Sequence, residues 1–210
     1  TLAKRLISSL KHREYVRVKV GHVGGKLVAS PLARGAGAAM SLVKADGFCI
    51  IPQNSEGALA GEEVDIVLCK SLEEIENTLV SIGSHDMTLD VMGDMMANKY
   101  QGKRFVSTHV GSMAGLMALK CNETTIAPTH LLDMETGEYN VSYLKQIFPG
   151  EEMALIKGLD RIQGIMVKKG NPLGIRGIED LAKVRYVNRQ RGAGTRVLLD
   201  YKLRQAGLSP

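Results

Sequence analysis

Hydrophobic and polar positions change their spacing twice along the chain. At the start, Leu2, Leu6, Ile7 and Leu10 fall on one helical face, which predicts a short amphipathic helix. From Tyr15 the period becomes two: Val16, Val18 and Val20 alternate with Arg17 and Lys19, the pattern of a half-buried strand. Gly24-Gly25 can turn the chain and Lys26–Ala29 can return it as a hairpin that Pro31 ends. Residues 38–45 suit a short helix. The run Phe48–Ile51, closed by Pro52, and the alternation Val64, Ile66, Leu68 supply further strands. Short strands punctuated by Gly and Pro over about 70 residues predict a small all-β barrel or sandwich.

Past Leu68–Ser71 the pattern switches again. Apolar strands at 79–82, 104–108 and 124–127 alternate with helical spacing. Met87, Val91 and Met95 recur every four residues, Met113, Leu116 and Met117 follow, and Asn140 opens a helix carrying Val141, Leu144 and Phe148. The ten methionines read as core packing. Strand-like runs at 153–156, 162–168 and 185–188 follow, with a turn at Asn171-Pro172. A short helix starts at Ile178, and a last helix ends near Ala206 with Gly207 as its cap. Strands alternating with helices predict a doubly wound parallel sheet. The expected fold class is α/β overall, with an all-β domain over 1–70 and an α/β domain over 71–210.

Composition narrows the function classes. The 210 residues carry a net charge of +5, unevenly spread. Residues 1–70 hold ten Lys and Arg against six Asp and Glu, residues 71–182 ten against fifteen, and residues 183–210 seven against one. A basic end on an acidic middle, with three Phe and no Trp for stacking, argues against nucleic acid as the partner. No apolar run reaches the roughly 20 residues that span a bilayer, and no charged-then-apolar leader is visible. Cys49, Cys69 and Cys121 are widely spaced and support neither a disulfide framework nor a CxxC zinc site. A reduced, cytoplasmic setting is the expectation.

In open α/β sheets, ligands sit beyond the carboxyl ends of the strands. Ser84-His85-Asp86 follows the first strand of the α/β region. Gly111-Ser112 opens the second helix, Thr129-His130 follows the third strand, and Gly192-Ala193-Gly194-Thr195 opens the last helix. Glycine admits close backbone approach, the helix end favours negative charge, and hydroxyls add uncharged donors. Capping alone accounts for any one of these turns. Four on one edge point to a small oxyanion or carboxylate site with Ser84, His85, Gly111, Ser112, His130, Arg191, Gly192 and Thr195 as its residues. His85, His109 and His130 each follow a predicted strand. They read as metal ligands, as neutral donors to an oxyanion or as structural histidines. Arg189, Arg191 and Arg196 flank the last turn, as oxyanion forks or as a solvated basic face. No GxSxG, Walker A or strand-borne GxGxxG motif is present.

Val16–Val20, Val28–Leu32 with Arg34-Gly35-Ala36-Gly37, Lys44–Pro52 and Gly61–Val64 resemble the C-terminal β-barrel domain of the MoeA/gephyrin family. Residues 74–210 resemble the periplasmic-binding-protein-like domain fused behind MoeA in some prokaryotes. That resemblance is carried by Gly83–Asp86, His109–Ser112, Thr129–Asp133 through Thr136–Asn140, and Asn188–Arg196. It implies a molybdenum-cofactor biosynthesis protein. Its parent would be a dimeric molybdopterin molybdotransferase using molybdate, adenylylated molybdopterin and Mg2+. Arg17, Arg34 and Gly35 would border the active site. Ala36 stands where such proteins usually carry a hydroxyl.

The resemblance further implies a fragment. The N-terminal MoeA domains that hold most of the catalytic apparatus would be partners outside this chain. The second domain would comprise lobe one over about 71–165 and an incomplete lobe two over about 166–210. The piece alone is expected to be inactive in metal insertion and to bind a small anion such as molybdate or tungstate. The competing class is a ligand-sensing regulatory module without catalysis, which would carry a helix-turn-helix where the β region stands.

Overall fold

The computed structural model describes residues 1–32, 34, 39–190 and 192–209, and the chain forms two units, Thr1–Thr129 and His130–Pro210.

In the first unit, β1 (Leu6–Ile7), β2 (Glu14–Val23), β3 (Lys26–Pro31), α1 (Ala39–Lys44), β4 (Gly47–Ile51), β5 (Gly57–Ala58) and β6 (Ile66–Leu68) come first. Four of these strands form an antiparallel sheet in the order β3-β2-β4-β6. The valine alternation of β2 buries Val16, Val18 and Val20 against Leu2, Leu6, Cys49 and Ile51. Gly24 and Gly25 turn the β2–β3 hairpin with φ of 54° and 81°, the left-handed pair that a tight primed turn requires.

Two expectations for this region change. The first ten residues are extended, not helical. Leu2 bridges Ala29, and β1 pairs antiparallel with β5. Leu2 and Leu6 are buried, whereas Ile7 and Leu10 are exposed. Backbone partners decided it: Leu2 N–H donates to Glu62 at 2.9 Å and Ser8 N–H to Glu56 at 2.8 Å, bonds that a lone helical turn would forgo. The small barrel is not closed either. The described residues show an open sheet beside the β1–β5 pair. Closure needs a continuous ladder, and the edge strand β6 has three residues.

The chain continues through α2 (Leu72–Glu76), β7 (Thr78–Gly83), α3 (Met87–Lys99), β8 (Arg104–His109) and α4 (Ser112–Lys120). Ser71 and Glu74 form a reciprocal capping box on α2, an S-x-x-E signal readable in the sequence. β7 and β8 are parallel, and the expected third strand appears as a single parallel bridge, Ser81 to Ile126, on the other side of β7. Val80 and Ile82 pack with Val23, Val28, Ala3 and Ala118 in one core. The start of the α/β region therefore shares a hydrophobic core with the β2–β3 hairpin, and the first unit runs on past residue 70.

The methionine spacing of α3 is real but faces outward. Met87, Val91 and Met95 are 77%, 55% and 65% exposed, whereas Leu89 is buried and Gly93 sits over Phe105. Met113 and Met117 of α4 are also exposed, with Leu116 buried between them. A period of four identifies a helix face without saying which face meets the sheet.

The second unit carries α5 (Val141–Ile147), a 3-10 turn at Ile178–Lys183 and α6 (Gly194–Gln205). Asn171 makes the expected turn, its side chain bonded both ways to Ile175 at 2.8 and 3.0 Å. The strands expected at 153–156, 162–168 and 185–188 are absent, and Ile156, Ile162, Met166 and Val187 are exposed. Strand propensity becomes a strand where a neighbour takes the ladder hydrogen bonds, and among the described residues these runs have none.

Asp46, 0% exposed, ties the first unit together. Its carboxylate accepts from Val20 N–H at 3.0 Å, from Lys19 Nζ at 3.5 Å and from the Arg104 guanidinium. Its own N–H donates to Val18 at 2.8 Å, and its carbonyl accepts from Cys69 N–H at 2.8 Å. Burial holds the Lys19 ammonium below the usual lysine range, with Asp46 opposing that shift. Asp46→Asn leaves the two cations facing an uncharged amide and should cost about 2–4 kcal/mol. Glu14→Gln removes the exposed Arg34 pair and should cost under about 1 kcal/mol. Urea unfolding of the two variants beside the parent chain measures both.

Candidate functional site

The chain enters β7, leaves through α3 to β8, then returns past β7 to Ile126. This reversal puts a topological switch point, where open α/β sheets hold their ligands, between the carboxyl end of β7 and the 126 segment. The Gly83 carbonyl accepts both Val110 N–H at 2.9 Å and Gly111 N–H at 3.0 Å, and Ser84 N–H donates to Pro128 at 2.8 Å. Those three bonds bring the ends of both strands and the 128 segment into one edge.

Four of the sequence-predicted residues meet there. Ser84 and Ser112 are buried, His85 is exposed, and Gly111 caps α4 with φ of 90°. His109 joins them: its ring centroid lies 4.1 Å from that of His85, with the planes tilted by 56°. The nine-residue α4 directs its N-terminal end at this edge, and its dipole favours negative charge there. Asp86 turns its carboxylate into α3, accepting from Thr88 N–H at 2.9 Å and Thr88 Oγ1 at 2.6 Å. Burial first, and the His85 ring second, hold the His109 imidazole below the ordinary histidine value of 6.5; Lys4 adds to the effect and Asp90 opposes it.

One residue that places this edge was not singled out from sequence. Gly115 lies a helical turn beyond Gly111, and a Cβ there would stand 2.5 Å from Gly83 Cα and 2.6 Å from the Ile82 carbonyl. The absence of that atom lets the first turn of α4 press against the end of β7. The Gly111-x-x-x-Gly115 spacing was the signal available.

His130, Gly192 and Thr195 belong to the second unit. His130 is exposed, with its Nε2 2.9 Å from the place a Cβ on Gly194 would take, so it stands over the start of α6. Gly192 and Thr195 are exposed beside it. The 131–140 loop is held by Asn140, whose Oδ1 accepts from Leu131 N–H at 2.8 Å. Arg196 is spent on Asp200 at 3.5 Å and on the Arg189 carbonyl at 3.1 Å. Arg191 lies outside the described residues.

Among the border residues, Arg17 sits half-buried on β2 opposite Phe48. Arg34 donates to the Ile7 carbonyl at 2.7 Å and to Glu14 at 2.9 Å. Gly35 and the rest of the loop through Gly37 lie outside the described residues. His85 and His109 are therefore brought together within one unit, and His130 belongs to the other. Among the described residues no group of three His, Cys, Asp or Glu could hold a metal ion.

Comparison with known proteins finds two families along the chain. The chain belongs to the PBP superfamily domain family, which its residues 93–210 match. Residues 1–69 match the MoeA C-terminal region (domain IV), so the chain is a fusion of the two. It is 38% identical over 133 residues to the uncharacterized protein YvgK of Bacillus subtilis, covering 62% of this chain and 43% of that protein. It is 39% identical over 70 residues to a putative molybdopterin biosynthesis protein of Methanocaldococcus jannaschii, covering 33% of this chain and 16% of that protein. The chain thus spans less than half the length of either relative. No solved structure matches.

Gly115→Ala sets two effects against each other. Helix propensity gains about 1 kcal/mol, whereas overpacking against a backbone costs about 1–3 kcal/mol. The backbone cannot rotate away as a side chain can, so a net loss of about 1 kcal/mol is expected. Gly93→Ala, whose Cβ would make an ordinary 3.5 Å contact with Phe105, should gain up to about 1 kcal/mol. Thermal unfolding of the pair gives both signs.

Proposed function

We propose that this chain is part of a molybdenum-cofactor biosynthesis protein and that the β7–β8 edge binds a small oxyanion such as molybdate or tungstate. The observation that carries the reading is the conjunction at one sheet edge, beside the switch point, of Ser84, His85, Gly111 and Ser112 with the N-terminus of α4. It occurs in a chain whose first 69 residues match the MoeA C-terminal region. Neutral hydroxyls and helix N–H groups satisfy a tetrahedral oxyanion without requiring a cation.

In this reading residues 1–70 are the MoeA-like domain and 71–210 the binding-protein-like domain. Arg17, Arg34 and Gly35 border a molybdotransferase active site whose chemistry, with molybdopterin and Mg2+, is supplied by MoeA domains outside the chain. The parent is a homodimer. In the second unit, His130, Gly192, Thr195 and Arg191 are proposed as ligand-binding residues of that unit. Free thiols at Cys49, Cys69 and Cys121 suit a reducing cytoplasm. No helix among the described residues is long and apolar enough to cross a membrane.

Titration calorimetry of the chain with molybdate, tungstate and sulfate tests the site. Binding is expected, and Ser84→Ala and Ser112→Ala should each weaken it about tenfold, the cost of one hydrogen bond to a charged group. The absence of heat with all three anions, or unchanged affinity in both variants, refutes the reading.

A further inference from the structure

The tilted imidazoles of His85 and His109 stand at the edge where the anion is proposed to sit, and capping does not explain them. Both rings are exposed to an incoming ligand. At 4.1 Å between centroids, two imidazolium charges would repel strongly, so the pair accommodates one added proton and not two.

The charges around them settle little by themselves. On α3, Asp86 is turned into its own helix and Asp90 attracts a proton; from the N-terminal segment Lys4 repels one; α4 presents its positive end and the uncharged Ser112. On β8, Arg104 lies at the opposite end of the strand and is held by Asp46. Held below the ordinary histidine value, His109 is neutral at pH 7.5 and free to gain a proton.

The row behind His109 is also uncommitted. In the parallel register Gly83 faces His109 and Ser81 faces Ser107 on the same side of the sheet. The buried Oγ atoms of Ser81 and Ser107 have no hydrogen-bond partner, and Ser81 is fully buried. Buried hydroxyls without partners are uncommon, and these two offer dipoles that can orient toward a charge arriving beside His109.

We propose that the His85–His109 pair takes up a proton from solution as the anion binds, and that this selects doubly charged oxyanions over singly charged carboxylates. The inference rests on the oxyanion reading above. The neutral His109 presents an imidazole lone pair that repels an anion, and one added proton turns the pair into a cation. The Coulombic return on that proton scales with the charge of the anion, so a dianion recruits it twice as strongly as a monoanion. His85 and His109 are then specificity-determining residues, silent until the ligand arrives.

Calorimetry at pH 7.5 with sulfate and molybdate, in Tris and in HEPES at matched ionic strength, reads the proton directly. The two buffers release a proton with different enthalpies. A buffer-dependent heat corresponding to up to about one proton per anion is expected, with affinity falling up to about tenfold per pH unit above neutrality. Acetate should bind more weakly and with less proton uptake. His85→Gln and His109→Gln should each remove the buffer dependence and weaken sulfate binding up to about tenfold. NMR of the imidazole nitrogens in the unaltered chain, with and without sulfate, gives the same answer without a variant. Equal heats in both buffers and unshifted imidazole signals on binding overturn the proton coupling and leave the oxyanion reading standing. No heat with any anion in either buffer overturns both.

Discussion

A single buried carboxylate, that of Asp46, fixes how the first unit is assembled. Its backbone links β2 to the end of β6, and its side chain draws in the Arg104 guanidinium at the start of β8. A charge with no exposure is tolerated because every partner is present at once: one backbone N–H and two cations. Removing any one leaves the others facing low-dielectric surroundings. The β sheet and the α/β layer are therefore not free to shift past one another. The core shared by Val23, Val28, Val80 and Ile82 then fills the space this constraint leaves.

The candidate site inherits its position from that arrangement. Arg104 begins β8 and His109 ends it, so anchoring the first residue sets the height of the last. β7 is held on its other edge by backbone bonds, Thr125 N–H to Val80 at 3.0 Å, Ile82 N–H to Ile126 at 3.2 Å and Ser84 N–H to Pro128 at 2.8 Å, to which a side chain adds. Thr124 Oγ1 accepts from Ile82 N–H at 2.9 Å and lies 3.0 Å from the Val80 carbonyl and 2.7 Å from that of Ile126. One buried threonine thus reinforces the partial ladder that stands where a third strand was expected. Gly115 adds the last adjustment by letting α4 close on Gly83.

Much of this was legible in the sequence because local rules and the final packing agree. The β2 alternation, the Gly24-Gly25 turn, the strand closed by Pro52 and the Gly207 cap all read directly, since each depends on neighbours a few residues away. Ser84, His85, Gly111 and Ser112 were also readable, because strand ends followed by helix starts define an edge. The pairing of His109 with His85 was not, since it depends on the parallel register of β7 and β8. The roles of Asp46 and Gly115 were hidden for the same reason: their partners lie far along the chain.

The misread segments share one physical cause, and it explains why two kinds of pattern failed in opposite ways. Residues 1–10 have helical spacing but became extended, because β5 and the Ala29 region offered backbone partners. Residues 153–168 have strand spacing but formed no strand, because among the described residues no edge is aligned beside them. Apolar periodicity records which side chains would share a face in a given conformation. Choosing the conformation is left to whichever backbone partners the rest of the chain presents, and in a sheet those partners are never local. The same logic governs α3, whose methionine stripe satisfies the helical period while Leu89 and Gly93 meet β8. There the sheet accepts the small and compact residues, and the long flexible side chains turn outward.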